Sequence, residues 1–347
     1  MSRPIRLSPM PVPSAASASR WPWPNRDVRR SRPPRSRSTS ILWVPSCFSV
    51  TPTASCVRRR SPLPAIGSNE SVISWLTLNP EPRMSSITEL VQRHATTLAD
   101  AVKANAERTF HAHWPEPPSG KIYGETANDD GLKAFQAQLG KAFGEPLGEP
   151  SGEPSGDEVS PYGFALGIKY PAYSVDTLVK RATDAQMAWQ SLTPEQRASV
   201  LIEALERASK RFFEIGYATM HTTGQGFVMA FQSSGPHGFD RALEALALGY
   251  AAQTQFAPNV SWTKPMGKIS VTIEKTYRLV PKGINVVIGC STFPVWNTTP
   301  GMFAGLVTGN SVIIKPHPGA VYPIAIIVAE LRKALADAGL DPNICQL

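Results

Sequence analysis

Residues 284–315 read INVVIGCSTFPVWNTTPGMFAGLVTGNSVIIK, and the fold class turns on them. INVVIG (284–289) is a continuous apolar run of strand length, and SVIIK (311–315) is a second. Between them TTPGMFAGLVT has the small and apolar residues of a buried helix and stops at Gly309-Asn310, a C-terminal signal. VYPIAIIVAELRKALADAG repeats the helical pattern, and PNICQL (342–347) opens like a third strand. Strand, crossover helix, strand, helix is the unit from which parallel sheets are built. The order predicts the first half of a doubly wound, dinucleotide-type sheet. Two or three such strands leave an edge and an apolar face uncovered. Cys290 sits at the mouth of the first crossover, where a nucleophile is conceivable.

Working back toward the amino terminus, KISVTIEKTYRLV alternates with period 2 after Pro265 and predicts an antiparallel hairpin or ribbon. Before it stand three helical stretches: VDTLVKRATDAQMAWQSL, TPEQRASVLIEALERASKRFFEIGYATMHTTG and FDRALEALALGYAAQTQFA. Thr193-Pro194-Glu195 gives the second an N-cap, a first-turn proline and a first-turn acid, and Gly224 ends it. FGEPLGEPSGEPSGDEVSPYG, from Phe143, repeats Gly-Glu-Pro, and proline at every fourth position excludes a helix or an inner strand. Residues 144–158 are therefore expected to form an exposed acidic loop. Its Glu145, Glu149 and Glu153 lack EF-hand spacing and read as solvated rather than as a calcium site.

The chain has 347 residues, 42% of them hydrophobic, and a formal net charge of +8. That length suits one large or two ordinary domains. No apolar run approaches the ~18 residues of a membrane-spanning helix. The charge is lopsided: residues 1–83 hold thirteen Arg, no Lys and three acids, which leaves 22 basic and 24 acidic residues for 84–347. The region expected to fold is thus mildly acidic and has no electrostatic footprint for nucleic acid. Residues 1–83, rich in Pro, Ser and Arg, are expected to be a disordered extension. Their composition also suits an organellar transit peptide, or translation from a start codon too far upstream. Met84 opens a helical pattern in which Ser86 and Glu89 form a capping box, and it is the expected true start. Cys47, Cys56, Cys290 and Cys345 have no metal-ligand spacing, so a reducing cytoplasm is the expected compartment.

Three stretches then line up in one order. AWQSLTPEQRASVLIEALERASKR followed by HTTGQ resembles the AW…PxERAxxL…ETGK helical pair of the aldehyde dehydrogenase superfamily. VPKGINVVIGCSTFPVWN resembles that family's PxGVVxxIxPWNFP strand and loop, and GNSVIIKPHPGAVYP resembles its GNxVVxKPSExTP turn and strand. The likeness spans about residues 160–347. The wider wording, including HAHWPEPPSGKIYG, is similar to the phenylacetic acid degradation branch, the PaaN-type proteins. The resemblance implies an α/β chain corresponding to the N-terminal part of an aldehyde dehydrogenase fold: a helical region plus an incomplete Rossmann-like parallel sheet. It also implies NAD or NADP as cofactor, a small-molecule aldehyde as substrate and a homo-oligomer.

In the family a Cys thiolate attacks the aldehyde, an Asn side chain helps hold the oxyanion, hydride passes to nicotinamide, and a Glu activates water. Aligned through Gly309-Asn310, the family's Trp-Asn-Phe-Pro falls on Ser291-Thr292-Phe293-Pro294, so Thr292 takes the oxyanion position. A Thr hydroxyl is shorter than an Asn amide and can donate or accept. Ile288, Gly289 and Ser291 fall on the cofactor strand and loop, Lys315 on the Lys that contacts the adenosine ribose. The family's ribose-binding Glu is Pro318 here; losing that carboxylate removes repulsion against a 2′-phosphate. The implied lean is to NADP, with Lys315 and His317 near the phosphate. Cys290 lies on the cofactor loop, not at the family's nucleophile position, which with the GxTxxG turn and the base Glu is expected beyond Leu347. The chain alone is therefore expected not to turn over, and a non-catalytic nucleotide-binding or interaction module is the alternative.

The remaining candidates have plainer readings. Asn297 is the expected N-cap of the helix after the loop, and Cys345 a core thiol. His111 and His113 lack a third ligand for a metal and read as surface or partly buried histidines. His221 lies near a helix end, where the dipole favours it. Asn259 and Asn297 open formal glycosylation sequons, without meaning in a cytoplasmic protein.

Overall fold

A computed structural model describes residues 84–347; the expectations for residues 1–83 lie outside them. The elements in chain order are α1 (Met84–Glu107), α2 (Gly120–Tyr123), α3 (Ala127–Gln138), β1 (Gly152–Ser155), β2 (Val159–Ser160), β3 (Phe164–Ala165) and β4 (Tyr170–Ala172). There follow α4 (Val175–Ser191), α5 (Pro194–Ser209), α6 (Phe212–Thr223), α7 (Phe227–Ser234), α8 (Pro236–Thr254), β5 (Asn259–Met266) and β6 (Ile269–Thr276). The last unit is β7 (Ile284–Ile288), α9 (Pro294–Val307), β8 (Ser311–Lys315), α10 (Tyr322–Asp337), a 3-10 turn (Pro342–Ile344) and β9 (Cys345–Gln346).

β7, β8 and β9 form a parallel sheet in that order, with Ile284 opposite Ser311 and Ile288 opposite Lys315. The fold is α/β: a helical region followed by this Rossmann-like sheet, with Val287, Val312, Ile314 and Cys345 in its core. Asn310 locks the register at its start. Its Oδ1 accepts the backbone N–H groups of Lys282 (2.8 Å) and Gly283 (3.1 Å), while its Nδ2 donates to Gly305 O and Thr308 Oγ1. Gly309 takes the left-handed φ of 86° that ends α9.

Two residues of the AW…PEQRA motif hold the other side of the same helix end. Trp189, almost fully buried, donates its indole N–H to Leu306 O at 2.8 Å. Arg197 gives Nε to Val307 O at 2.9 Å and Nη2 to Gln253 Oε1 at 2.7 Å. The last carbonyls of a helix have no partner inside it, and here α4 and α5 supply them. The motif thus positions α9, and with it the loop that α9 follows.

Several local expectations change. The stretch from Thr193 to Thr223 is two helices: α5 ends at Ser209, and α6 restarts from Arg211, whose φ of −110° is not helical. Thr193 does cap α5, in a reciprocal capping box with Gln196, and Gly224 ends α6 at a φ of 80°. α1 begins at Met84, so Ser86 lies inside the helix and is not its cap. The hairpin starts before Pro265, because β5 and β6 pair from Asn259–Thr276 to Met266–Ile269 around Gly267. Both of its strands are exposed along their full length.

The Gly-Glu-Pro segment also departs from a wholly solvated loop. Leu147 is buried, Glu158 is 2% exposed, and Gly152–Ser155 pairs antiparallel with β4. Glu145 lies 2.6 Å from both Arg211 and Lys333. Burial opposes its charge, but hydrogen bonds from those two cations prevail and hold the carboxyl below its ordinary range. Repeat composition could not reveal this, because the partners lie 66 and 188 residues away in sequence.

His113 Nε2 meets Glu206 Oε1 at 2.6 Å, and its backbone N–H donates to Asp240. Glu206 raises the imidazole above its usual value against the opposing effect of burial. His221 stacks on Phe135 at 4.7 Å and pairs with Ser160 at 3.0 Å, and burial lowers its pKa. Among the described residues no His, Cys, Asp and Glu group is placed to hold a metal, and no helix is long and apolar enough to cross a membrane.

Candidate functional site

The carboxyl ends of β7 and β8 bring together Ile288, Gly289, Ser291, Lys315 and His317, the residues picked from the sequence. Gly289 N–H donates to Lys315 O at 2.9 Å, which extends the ladder one step past the last strand pair. Ile288, Lys315 and His317 are exposed, and Ser291 is half-buried. His317 Nδ1 accepts the Gly319 N–H at 3.1 Å, fixing the ring in the turn. A Cβ built on Gly289 would stand 3.0 Å from Thr298 Oγ1 and 3.4 Å from Pro316 Cα. The missing side chain leaves open backbone between the two strand ends. Thr298 Oγ1 is buried there without a hydrogen-bond partner.

Beyond Gly289 the chain turns into α9, and Cys290 sits inside that turn. Asn297 donates its amide Nδ2 to Cys290 Sγ at 3.1 Å, and the Thr292 hydroxyl lies 3.6 Å from the same sulfur. Partial burial disfavours the thiolate. The backbone N–H of Phe293, the Thr292 hydroxyl, the Asn297 amide and the Thr292 N–H outweigh it, and the thiol pKa falls below its usual value. Asn297 is therefore not an N-cap: the helix begins at Pro294, and Asn297 lies one turn inside it with its amide aimed back at the sulfur. The sequence shows the helix start only as Asn-Thr-Thr, so the extra turn from Pro294 hid this role.

The arrangement predicts a measurable thiol effect. Asn297→Ala removes a donor to the thiolate, so alkylation of Cys290 by iodoacetamide at neutral pH should slow by about three- to tenfold. Mass-spectrometric mapping of the Cys290 peptide reads this directly. An unchanged rate means the amide does not reach the sulfur in solution.

Thr292, the oxyanion candidate, is exposed, and its hydroxyl is turned on Cys290. Its carbonyl accepts the Gln225 side-chain amide across the space between α6–α7 and the loop. Gln225 Oε1 in turn accepts from Ser233 at 3.1 Å. Gln225 is a loop-setting residue that sequence reasoning left without a role. Its signal was its place directly after Gly224 in HTTGQ.

The segment after β8 is fixed from below by a second unforeseen residue. Glu158 Oε1 accepts the N–H groups of Val321 (2.6 Å) and Tyr322 (3.0 Å) at the start of α10, and Oε2 accepts the Tyr170 hydroxyl at 2.5 Å. Burial raises the Glu158 carboxyl despite those three donors. Nothing in the acid-rich repeat distinguished this carboxylate from its solvated neighbours.

These features fit the ribose side of a dinucleotide: an open glycine, an exposed Lys and His, and a tethered turn at the carboxyl end of a parallel sheet. The Thr292 and Phe293 amides just before α9 face Cys290.

The comparisons agree with this geometry. The aldehyde dehydrogenase family model matches residues 169–347, more than half of the chain. A crystal structure of an NAD-dependent aldehyde dehydrogenase from Burkholderia multivorans is 46% identical, superposes with a TM-score of 0.72, and is matched over 74% of this chain and 46% of its own. The 4-trimethylaminobutyraldehyde dehydrogenase B of Danio rerio is 29% identical over 173 residues, 48% of this chain and 30% of the relative. The 1-pyrroline-5-carboxylate dehydrogenase 1 of Halalkalibacterium halodurans is 25% identical over 169 residues, with the same two shares. The chain thus spans less than half the length of the proteins it matches. With its motif residues placed where they set α9, the turn after β7 and the β8 end, the chain belongs to the aldehyde dehydrogenase family.

Proposed function

We propose that the chain provides the nucleotide-binding side of an NAD(P)-dependent oxidation of an aldehyde to a carboxylic acid. The observation that carries this is the meeting of Gly289 with Lys315 and His317 at the carboxyl ends of β7 and β8. When bound, the nicotinamide cofactor would accept hydride. Lys315 and His317 would hold the adenosine ribose and a 2′-phosphate, Gly289 would admit the nucleotide backbone, and Thr292 would stand at the oxyanion position. Of the described thiols, Cys290 belongs to the cofactor loop and Cys345 is fully buried, with burial pushing its thiol up to about 12. Neither is assigned as the aldehyde's nucleophile, so the described residues are proposed to bind nucleotide without themselves oxidising aldehyde. The PaaN-type wording around His113 and Trp114 supports an aromatic, phenylacetate-type substrate pathway; the cysteine pattern supports a cytoplasmic compartment and the family resemblance a homo-oligomer.

Equilibrium titration of the chain with NADP and with NAD tests the reading. NADP is expected to bind more tightly than NAD, and Lys315→Ala to weaken NADP by about tenfold, the scale of one charge-assisted contact. Equal or tighter NAD binding overturns the NADP preference. Binding of neither nucleotide overturns the assignment of the site.

A further inference from the structure

At the opposite end of the parallel sheet, where β9 begins, the Gly-Glu-Pro segment and α10 line an open pocket of about 700 Å³. Lys169, Arg181, Arg332 and Asn343 line it together with Glu145, Gly148 and Glu149. Glu145 is committed to Arg211 and Lys333. Arg332 is 5% exposed, and its bonds go to the carbonyls of Pro342 and Cys345 and to Asn343 Oδ1. Its Nε is buried without a partner. Arg181 gives Nη1 to Glu149 O at 2.8 Å. Neither guanidinium has a carboxylate within ion-pair reach among the described residues. A buried cation paired only with neutral carbonyls is under-compensated, and burial accordingly lowers the Arg332 pKa.

Both guanidinium groups lie against Gly148. A Cβ built on Gly148 would lie 3.2 Å from Arg332 Nη2, 3.6 Å from Tyr173 Oη and 3.7 Å from Arg181 Nη1. Gly148 has a φ of 109°, so the position favours glycine, and a side chain there would crowd Arg332. Paired planar forks are the side-chain geometry that suits a tetrahedral oxyanion.

We propose that this pocket is a binding site for a small oxyanion of the phosphate class, held between Arg332 and Arg181 beside Gly148. It is distinct from the nucleotide site, which lies at the other ends of the strands, and it does not depend on the function assigned there. The occupant is either free phosphate or the phosphate of a small monoester, for which the pocket has room.

Calorimetric titration of the chain with inorganic phosphate and with glycerol phosphate, in a buffer free of both, tests it against chloride at matched ionic strength. Saturable binding with a Kd of about 1 mM or tighter is expected for at least one of them, and the tighter of the two identifies the occupant. Arg181→Gln should weaken it by about tenfold or more, the more conservative Arg181→Lys by less, and Lys315→Ala should leave it unchanged. Circular dichroism verifies the fold of each variant. Arg181→Lys carries the test if Arg181→Gln does not fold, in which case wild-type affinity in the Lys variant counts against the site. Heats no different from chloride, or binding lost with Lys315→Ala and kept with Arg181→Gln, overturn the proposal.

Discussion

Arg211→Met is expected to destabilise the protein by about 3–5 kcal/mol, the cost of stripping one partner from a buried ion pair. Arg211 sits in the break between α5 and α6 and reaches three carboxylates: Glu214 at 2.8 Å, Glu145 at 2.6 Å and Glu330 at 2.8 Å. Lys333 also touches Glu145 and Glu330, and Tyr322 donates to Glu214. With the guanidinium gone, Glu145 and Glu330 would share one ammonium and Glu214 would keep only the Tyr322 hydroxyl. Domains of this size have only about 5–15 kcal/mol to lose, so the loss is a large fraction of the total. Urea unfolding at neutral pH measures it. Glu145→Gln in the same chain should restore part of it, because it removes one of the stranded charges. A cost under about 1 kcal/mol would place the cluster with ordinary surface pairs. The variant should also be cut faster by protease within residues 144–158, whose anchor is Glu145.

Acid is expected to remove a second contribution, centred on Glu203. This carboxylate receives Arg93 at 3.0 Å and His94 at 2.8 Å from α1, and Arg207 at 3.0 Å from its own helix; Arg207 also bonds Asp337 of α10. Burial opposes ionisation, yet the three donors pull the pKa from 4.5 down to about 2. Since the folded value is the lower one, the stabilisation is fully present above the unfolded pKa. It fades as pH falls from about 4.5 toward 2. At 1.36 kcal/mol per pKa unit the contribution is ~3 kcal/mol as an upper bound. Glu158 and Asp240, whose pKa values burial raises, act in the opposite sense. The clean measurement is therefore the wild-type minus Glu203→Gln difference in unfolding free energy. It should be at most about 3 kcal/mol at pH 7 and shrink steadily below pH 4.5. A difference that does not vary with pH would mean that Glu203 acts by packing alone.

Long periodic stretches carried the fold legibly. The alternation of buried strand and helix after Gly283, the Thr193 cap and the Gly224 stop are local signals, and the coordinates repeat them. The candidate site was legible where it followed strand ends, since a five-residue apolar run fixes where the next residues emerge. What stayed hidden depends on partners distant in sequence. Glu145 and Glu158 lie in one monotonous repeat, and only their partners Arg211, Val321 and Tyr322 separate them from exposed Glu149 and Glu153. The break at Lys210–Arg211 was invisible because both residues are good helix formers; the ion cluster, not propensity, turns the chain there. Asn297 was misread because its preference for capping is real but its turn had already begun at Pro294.

The carboxylate beneath α10 sets the electrostatics of the turn above it. A helix start carries about half a positive charge, and the Glu158 carboxyl oxygen already occupies its first amides. That end of α10 is thus no attractor for an anion. On the proposed reading, a preference for a 2′-phosphate rests on Lys315 and His317, both exposed to water and counterions. Selectivity built this way is soft: the gap between the two nucleotides should narrow as salt is added.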